Sequence, residues 1–547
     1  MTIDLLVVQT LRSAQQTLRR ALANAEPTLD SFDDAYQTIE NMGLQTYAVS
    51  IRHPQKGVRE KAAKVLEAIN QAKAQLLGRK DIYEALLEMQ MLQLDPEREA
   101  AVRIALQLFE NAGVHLEEWQ QTRLAEIETE LEAMIPKFEE AIEIYAKANP
   151  ISSQIATPQS LMPLLIAEED PVARAQIVQI GRNNDHQTLF EMVYQARLLH
   201  RERATLLGMT ETEFATTESL FDDYAEIAEF NTSFLRNMNR ALVEALTRGG
   251  YKGQMTEAEL THWWYRNSTD QAENPLHDAL IDVQALFEAA MDYYANGLGF
   301  SWEYIHAEGE IPVVELTYAD GHTARMVMDI YPDAEKPDIH DRCMFWLGTS
   351  WIVGSYGLEW QNDRWYFPGL FKAETMLHEM GHAILWMGLT QSYFIARMEH
   401  GTEAVEVSSM LSEKIWRQLD PAILGLQVMP PAETIDVFMF ARQAYLAVLV
   451  QMLGEADLAN TPLEDVYLLA REQSVFEDDI YGVTLIHVLF LPPSYHMYTM
   501  GQPLVDALRG RELEIFRIMQ NAPHVGRGVI DALGSTTAVV EAFFEQI

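Results

Sequence analysis

The stretch ETMLHEMGHAILW, residues 374–386, holds two histidines four positions apart with a glutamate directly after the first. On an α-helix, residues four apart project from one face, so His378 and His382 set two imidazoles side by side. Two such nitrogens can hold one tetrahedral divalent metal, most often zinc. Glu379 falls at the edge of that face, where it can take a proton from a metal-activated water without binding the metal itself. Ala373, Met376, Leu377, Met380, Ala383 and Ile384 supply the apolar positions of a helix, and Pro368 and Gly369 precede it.

A catalytic zinc keeps three protein ligands and one open position. The chain has a single cysteine, Cys343, so the third ligand must be a histidine or a carboxylate. Downstream, HGTEAVEVSSMLSEKIWRQL (400–419) reads as a second helical stretch, with Glu406 lying 24 residues beyond His382. That span leaves room for a loop and an antiparallel helix. Ser409, one turn after Glu406, can hydrogen-bond a ligand there. Glu403, one turn earlier, is the competing carboxylate, and His400 reads as a loop histidine.

Around this segment the pattern is mostly helical. LDPEREAAVRIALQLFENAG (94–113) has Asp95 as a cap, Pro96 in the first turn, Glu97 and Glu99 at the positive end of the dipole, and Gly113 as the stop. In the next segment Leu124, Ile127, Leu131, Met134, Phe138 and Ile142 form one apolar stripe, with Pro136 expected to kink the helix. Stripes recur through 58–92, 186–207, 219–248, 278–297 and 433–454. One region differs. IPVVELTYADGHTARMVMDIYP (311–332) reads as two strands around Asp320-Gly321, and TSWIVGSYG (349–357) and DRWYF (363–367) are also β-prone. A small sheet is therefore expected immediately before the histidine helix.

The chain has 547 residues, 48% hydrophobic and 22% charged, the balance of a globular protein longer than one usual domain. The lone cysteine excludes an internal disulfide framework and fits a reducing compartment. The formal net charge of −41 repels phosphate backbones and anionic headgroups, so neither nucleic acid nor a membrane is an expected partner. The first residues read as an amphipathic helix, not as a signal peptide, and no uninterrupted apolar run reaches the roughly 18 residues of a membrane span. No phosphate loop or GxSxG elbow is present.

Taken together, HEMGH followed by Glu406 in EVSS resembles the gluzincin metallopeptidases, above all the oligoendopeptidase F and thimet oligopeptidase family. MDIYPDAEK (328–336) is similar to that family's D-L-Y-P-R-x-G-K element, though Asp333 and Ala334 stand in place of the usual arginine and the residue after it. FENAGVHLEEWQQTRLAEIETELEAMIPKFEEAI (109–142) and VIDALGSTTAVVEAFFEQI (529–547) look like its N-terminal and C-terminal helices. The resemblance implies a mainly α, two-lobed fold with a deep substrate channel. It also implies one zinc ion held by His378, His382 and Glu406, with Glu379 as general base and acid.

The family steadies its tetrahedral intermediate with tyrosines and a histidine. HVLFLPPSYHMYTMG (487–501) matches that run, which gives the role to Tyr498, then Tyr495, then His487, although His496 and Met497 interrupt the pattern. Relatives also bind substrate backbone along an exposed strand beside the zinc helix, and 349–357 would suit either such an edge or an internal strand. The implied activity is cytoplasmic endopeptidase cleavage of short oligopeptides. A carboxypeptidase with the same zinc residues and a catalytically weak peptide-binding protein are the alternatives. The expected division is an N-terminal helical lobe over 1–215 and a catalytic lobe over 216–547.

Overall fold

The computed structural model describes residues 3–147, 161–182, 186–217, 219, 221, 223–267, 279–306, 311–332, 342–346, 348–398, 404, 406–426, 437–478, 494–508, 510–523, 525–526, 528–529 and 543. Helices dominate, and the strands are confined to one region of the chain. Contacts divide the protein into two units that do not follow a single cut. The first comprises Met1–His115, Pro275–Pro430 and Leu504–Val539; the second comprises Leu116–Asn274, Pro431–Pro503 and Val540–Ile547. Residues 215 and 216, the expected lobe border, lie together in the second unit.

In the first unit, helices Leu29–Arg52, Lys56–Leu77, Lys80–Gln90 and Pro96–Asn111 bury a common core that includes Phe32, Ile39, Leu76, Ile82 and Phe109. Local chemistry sets the last of these helices. Asp95 accepts from the Arg98 amide at 3.0 Å, Pro96 occupies the first turn, and Gly113 follows in the left-handed region at φ 74°. The stripe read over 58–92 is two helices, broken at Gly78.

The strands form two sheets where the sequence suggested one. Strands β1 (Leu280–Asp282), β2 (Phe300–His306), β3 (Val313–Tyr318), β4 (Thr323–Asp329), β5 (Arg342–Trp346), β6 (Thr349–Val353), β7 (Glu359–Gln361) and β8 (Arg364–Pro368) pair in the orders β2-β3-β4-β6-β5 and β1-β8-β7. The expected hairpin at Asp320-Gly321 joins β3 to β4, with Gly321 at φ 88°. Among the described residues, only β4 and β6 run parallel. The start of the stripe at 278–297 is the short strand β1, and its helix begins at Val283.

β6 decides between the two readings of 349–357 in favour of an internal strand. It lies between β4 and β5, hydrogen-bonded on both sides, so 349–357 offers no free edge. The edge strand is β5. The reason lies in the run Trp351-Ile352-Val353, all buried, which belongs to a strand covered on both faces and not to a half-solvated one.

The larger sheet packs on the helix Leu370–Met387, which carries both histidines. Phe345 of β5 stacks on Trp386 with ring centroids 3.5 Å apart, and Ser350 of β6 reaches the Ala383 carbonyl at 3.5 Å. Its other face meets the helix Leu29–Arg52, through Ala48 against Met344, Trp346 and Trp351.

In the second unit, the helix Glu118–Lys147 is unbroken at Pro136. The helix Val437–Glu455 has the length and apolarity to cross a membrane, yet 67% of that stretch is buried inside the protein, where it packs along the helix Tyr224–Arg248. A helix apolar all round is accounted for by such a core position.

Gly369 aims the histidine helix. Its amide donates to the Ala279 carbonyl at 2.9 Å, beside β1, while its backbone sits at φ 99°, ψ 165°, a region essentially closed to other residues. Replacement of Gly369 by alanine is expected to lower unfolding free energy by about 1–3 kcal/mol, measured by chemical denaturation. Unchanged stability would show that strand and helix can be joined without that conformation.

Candidate metal centre

Helix Leu370–Met387 is held almost entirely by apolar burial: Met376, Leu377, Met380, Ala383 and Ile384 are each fully buried. The opposite face is where His378 and His382 emerge, their rings edge to face with centroids 5.1 Å apart. Crossing this helix is a much shorter one, Val407–Glu413, with Glu406 immediately before its first turn. The sequence suggested a longer helix through 400–419; the regular α-helix spans Val407–Glu413 and gives way to a 3₁₀ turn at Ile415–Gln418. Glu403, the competing carboxylate, and His400 lie outside the described residues.

Glu406 Oε2 lies 3.2 Å from His378 Nε2 and 3.4 Å from His382 Nε2. One donor atom from each of the three residues falls within 4.8 Å of the other two. A tetrahedral cation with bonds of about 2.0–2.1 Å needs donors roughly 3.3 Å apart, so the carboxylate stands at the right separation from both imidazoles. The three side chains remain 24%, 17% and 22% exposed, so the cluster is open to solvent on one side. Cys343 is not among the clustered donors, in keeping with an N/O site.

Two further side chains orient the donors. Ser409 Oγ donates to Glu406 Oε2 at 2.8 Å and also reaches the Glu406 carbonyl. Glu413 Oε1 lies 2.8 Å from His378 Nδ1. A carboxylate only accepts, so Nδ1 carries the proton and Nε2 is turned toward Glu406. Sequence reasoning did not single out Glu413. Its signal was available: it lies seven residues after Glu406, two turns along the same helical face.

The electrostatics follow from this crowding. Burial opposes charge on His378, but the Glu406 and Glu413 carboxylates outweigh it and push the ring up to about 10. Burial likewise opposes ionisation of Glu406, yet the bonds to His378 and His382 hold it far below the usual carboxylate range. The cluster thus concentrates attraction for positive charge at the point where its donor atoms meet, which is what holding a divalent cation requires. Glu379 is a buried carboxylate, 6% exposed, on the next position of the helix. Its neighbour is Cys343, whose thiol is pushed well up by burial and then by that carboxylate.

The close crossing depends on Gly381, inside the HEMGH motif. A Cβ there would stand 2.5 Å from the Ser408 carbonyl and 2.8 Å from the Ser409 Cα, and would also collide with Ser412 Oγ. Beneath it, the fully buried Tyr294 donates to Ser412 Oγ at 2.5 Å, and Ser412 donates to the Ser408 carbonyl at 2.7 Å.

Tyr495 and Tyr498 belong to the second unit. Tyr498 lies in the first turn of the helix His496–Ala507, and its ring lies 4.9 Å from that of Tyr495. Tyr495 is buried, which pushes its phenol up to about 12 against the pull of Arg442. His487 lies outside the described residues.

No protein-family model matches the sequence, and no curated protein matches it at sequence level. The fold is similar to that of solved structures along nearly the whole chain. PZ peptidase A with inhibitor 2 superposes with a TM-score of 0.62 at 11% identity, over 98% of this chain and 97% of its own. The M32 carboxypeptidase from Deinococcus radiodurans R1 gives 0.52 at 12% identity, over 97% of each chain. The Pyrococcus furiosus carboxypeptidase in its apo-Mg form gives 0.53 at 11% identity, over 98% of each. At such identities the likeness establishes a common fold.

Substituting Gly381 by alanine is expected to force the two helices apart and lower stability by about 1–3 kcal/mol, the usual range for an overpacked contact. Denaturant unfolding measures this, and an unperturbed midpoint would mean that the crossing is looser than described.

Proposed function

We propose that the protein is a zinc-dependent peptidase that hydrolyses peptide bonds in short oligopeptides. The observation that carries this reading is the convergence of His378, His382 and Glu406 beside a buried carboxylate, Glu379. The three similar structures described above, each a peptidase by name, support the same class.

His378, His382 and Glu406 would hold one zinc ion, which when bound supplies Lewis acidity toward the scissile carbonyl and the attacking water. Glu379 takes the proton of that water and delivers it to the departing amine. Its burial withdraws it from bulk water beside the paired imidazoles. Glu413 fixes the ring orientation of His378, and Ser409 fixes the carboxylate of Glu406. Steadying of the oxyanion by Tyr498, with Tyr495 and His487, rests on the sequence resemblance alone. Substrate backbone would align along β5, the sheet edge beside the histidine helix, through main-chain hydrogen bonds that read shape more than side chains.

The mode of attack is proposed as endopeptidase. The carboxypeptidase reading is kept because two of the similar structures are carboxypeptidases. Peptides amidated at the C-terminus separate the two: an endopeptidase cuts them, whereas a carboxypeptidase does not.

Glu379→Gln should reduce turnover by at least about a hundredfold while zinc content, measured by elemental analysis, stays the same. Equal rates in both forms would remove Glu379 from the chemistry. Glu413→Gln should weaken zinc affinity by about 10–100-fold, read by competition with a chromogenic chelator, and chelator-treated protein should regain activity on adding zinc. Unaltered affinity would reduce Glu413 to a surface carboxylate.

A further inference from the structure

The smaller sheet ends in a hairpin that the proposed chemistry leaves unused. β7 and β8 turn at Asn362 and Asp363, both at positive φ (48° and 61°), a conformation that asparagine and aspartate tolerate better than other side chains. The turn places Trp360 opposite Trp365, and their rings meet edge to face with centroids 5.1 Å apart. Trp360 stands 56% exposed on the edge strand of its sheet. An indole left in water at a fixed position, backed by a second ring, is the kind of anchor that binding surfaces use.

The surroundings select the partner. Elsewhere the chain covers aromatic faces with its own cations, as Arg417 does over Trp416 and Arg203 over Phe214. Among the described residues, no lysine or arginine lies over Trp360 or Trp365. Glu359 and Asp363 are exposed on the same hairpin, and its one arginine, Arg364, is tied to Asp282 at 2.6 Å. The whole chain carries a formal charge of −41. Open π faces within a negative field attract a cation and repel an anion.

We infer that Trp360 and Trp365 form an exosite that takes a lysine or arginine side chain of a peptide substrate, away from the scissile bond. The inference rests on the peptidase reading of the histidine helix and adds to it a substrate class, cationic oligopeptides. The connection is direct, because β8 leads through Gly369 into that helix. Five extended steps to Leu370 and eight helical steps beyond it place Trp365 at most about 30 Å from His378. That is about nine residues of extended peptide, so a longer substrate can bridge the two points and a very short one cannot.

The test uses zinc-loaded, full-length Glu379→Gln protein, with and without Trp360→Ala, and fluorescence anisotropy of labelled peptides of about twelve residues. One peptide carries a lysine near one end, and its twin carries norleucine there. Trp360→Ala should weaken the lysine peptide about threefold and leave the norleucine peptide unchanged, while Trp360→Phe keeps most of the affinity. Equal affinity with and without the indole, or an equal loss for both peptides, overturns the exosite. A parallel assay of a peptide of about five residues, cut by protein with an intact Glu379, keeps the two readings apart. Zinc-dependent cleavage there, at the same rate with and without Trp360, supports the peptidase reading. If nothing is cut, that reading fails, and the anisotropy comparison still decides the exosite.

Discussion

One carboxylate brought onto two imidazoles is the constraint from which the rest follows. His378 and His382 are paired by helix geometry alone, but Glu406 comes from another segment and must be delivered to within 3.2–3.4 Å of both rings. Delivery depends on how near two helices can lie. Gly381 permits the approach by having no side chain, and the serines at 408, 409 and 412 fill the crossing with small side chains, the hydroxyls of Ser409 and Ser412 bonding locally. A glycine and three serines thus set the site as surely as its donors do.

The remainder of the first unit fixes the two helices in place. The larger sheet backs the histidine helix through Phe345 and Ser350, and the smaller one launches it at Gly369. After that helix ends, the short helix Phe394–Met398 is pinned by Asp33, whose carboxylate accepts from the Phe394 and Ile395 amides at 2.8 and 2.9 Å. Asp33 is buried, which pushes its carboxyl up while the two amides pull it back. The N-terminal helices therefore belong physically with the site segment: Phe394 lies 279 residues beyond His115, where the first unit's opening stretch ends, yet both fall in one unit.

What could be read from the sequence is what depends on short-range periodicity. The i, i+4 histidines, the capped helix from Pro96, the Asp320-Gly321 hairpin and the mainly α character all have their causes within a few residues. What could not be read depends on what lies opposite. The role of Gly381 comes from the serines across from it, which no local pattern places there. Glu413 was one of many glutamates, although its seven-residue offset from Glu406 put it on the right face. Whether 349–357 is an edge or an internal strand could not be read, because its neighbours are chosen by topology, and β5 took the outer place. The pairing of Trp360 with Trp365 required a turn at Asn362-Asp363 that the reading of DRWYF alone did not include.

The central claim is that three side chains from two segments grip one divalent ion through two nitrogens and one oxygen. X-ray absorption at the zinc edge of the loaded protein tests it most directly. The account predicts two imidazole nitrogens and oxygen donors at about 2.0–2.1 Å with no sulfur, and loss of an oxygen scatterer in Glu406→Ala. A sulfur at about 2.3 Å, fewer than two imidazoles, or a zinc environment indifferent to position 406 would contradict it.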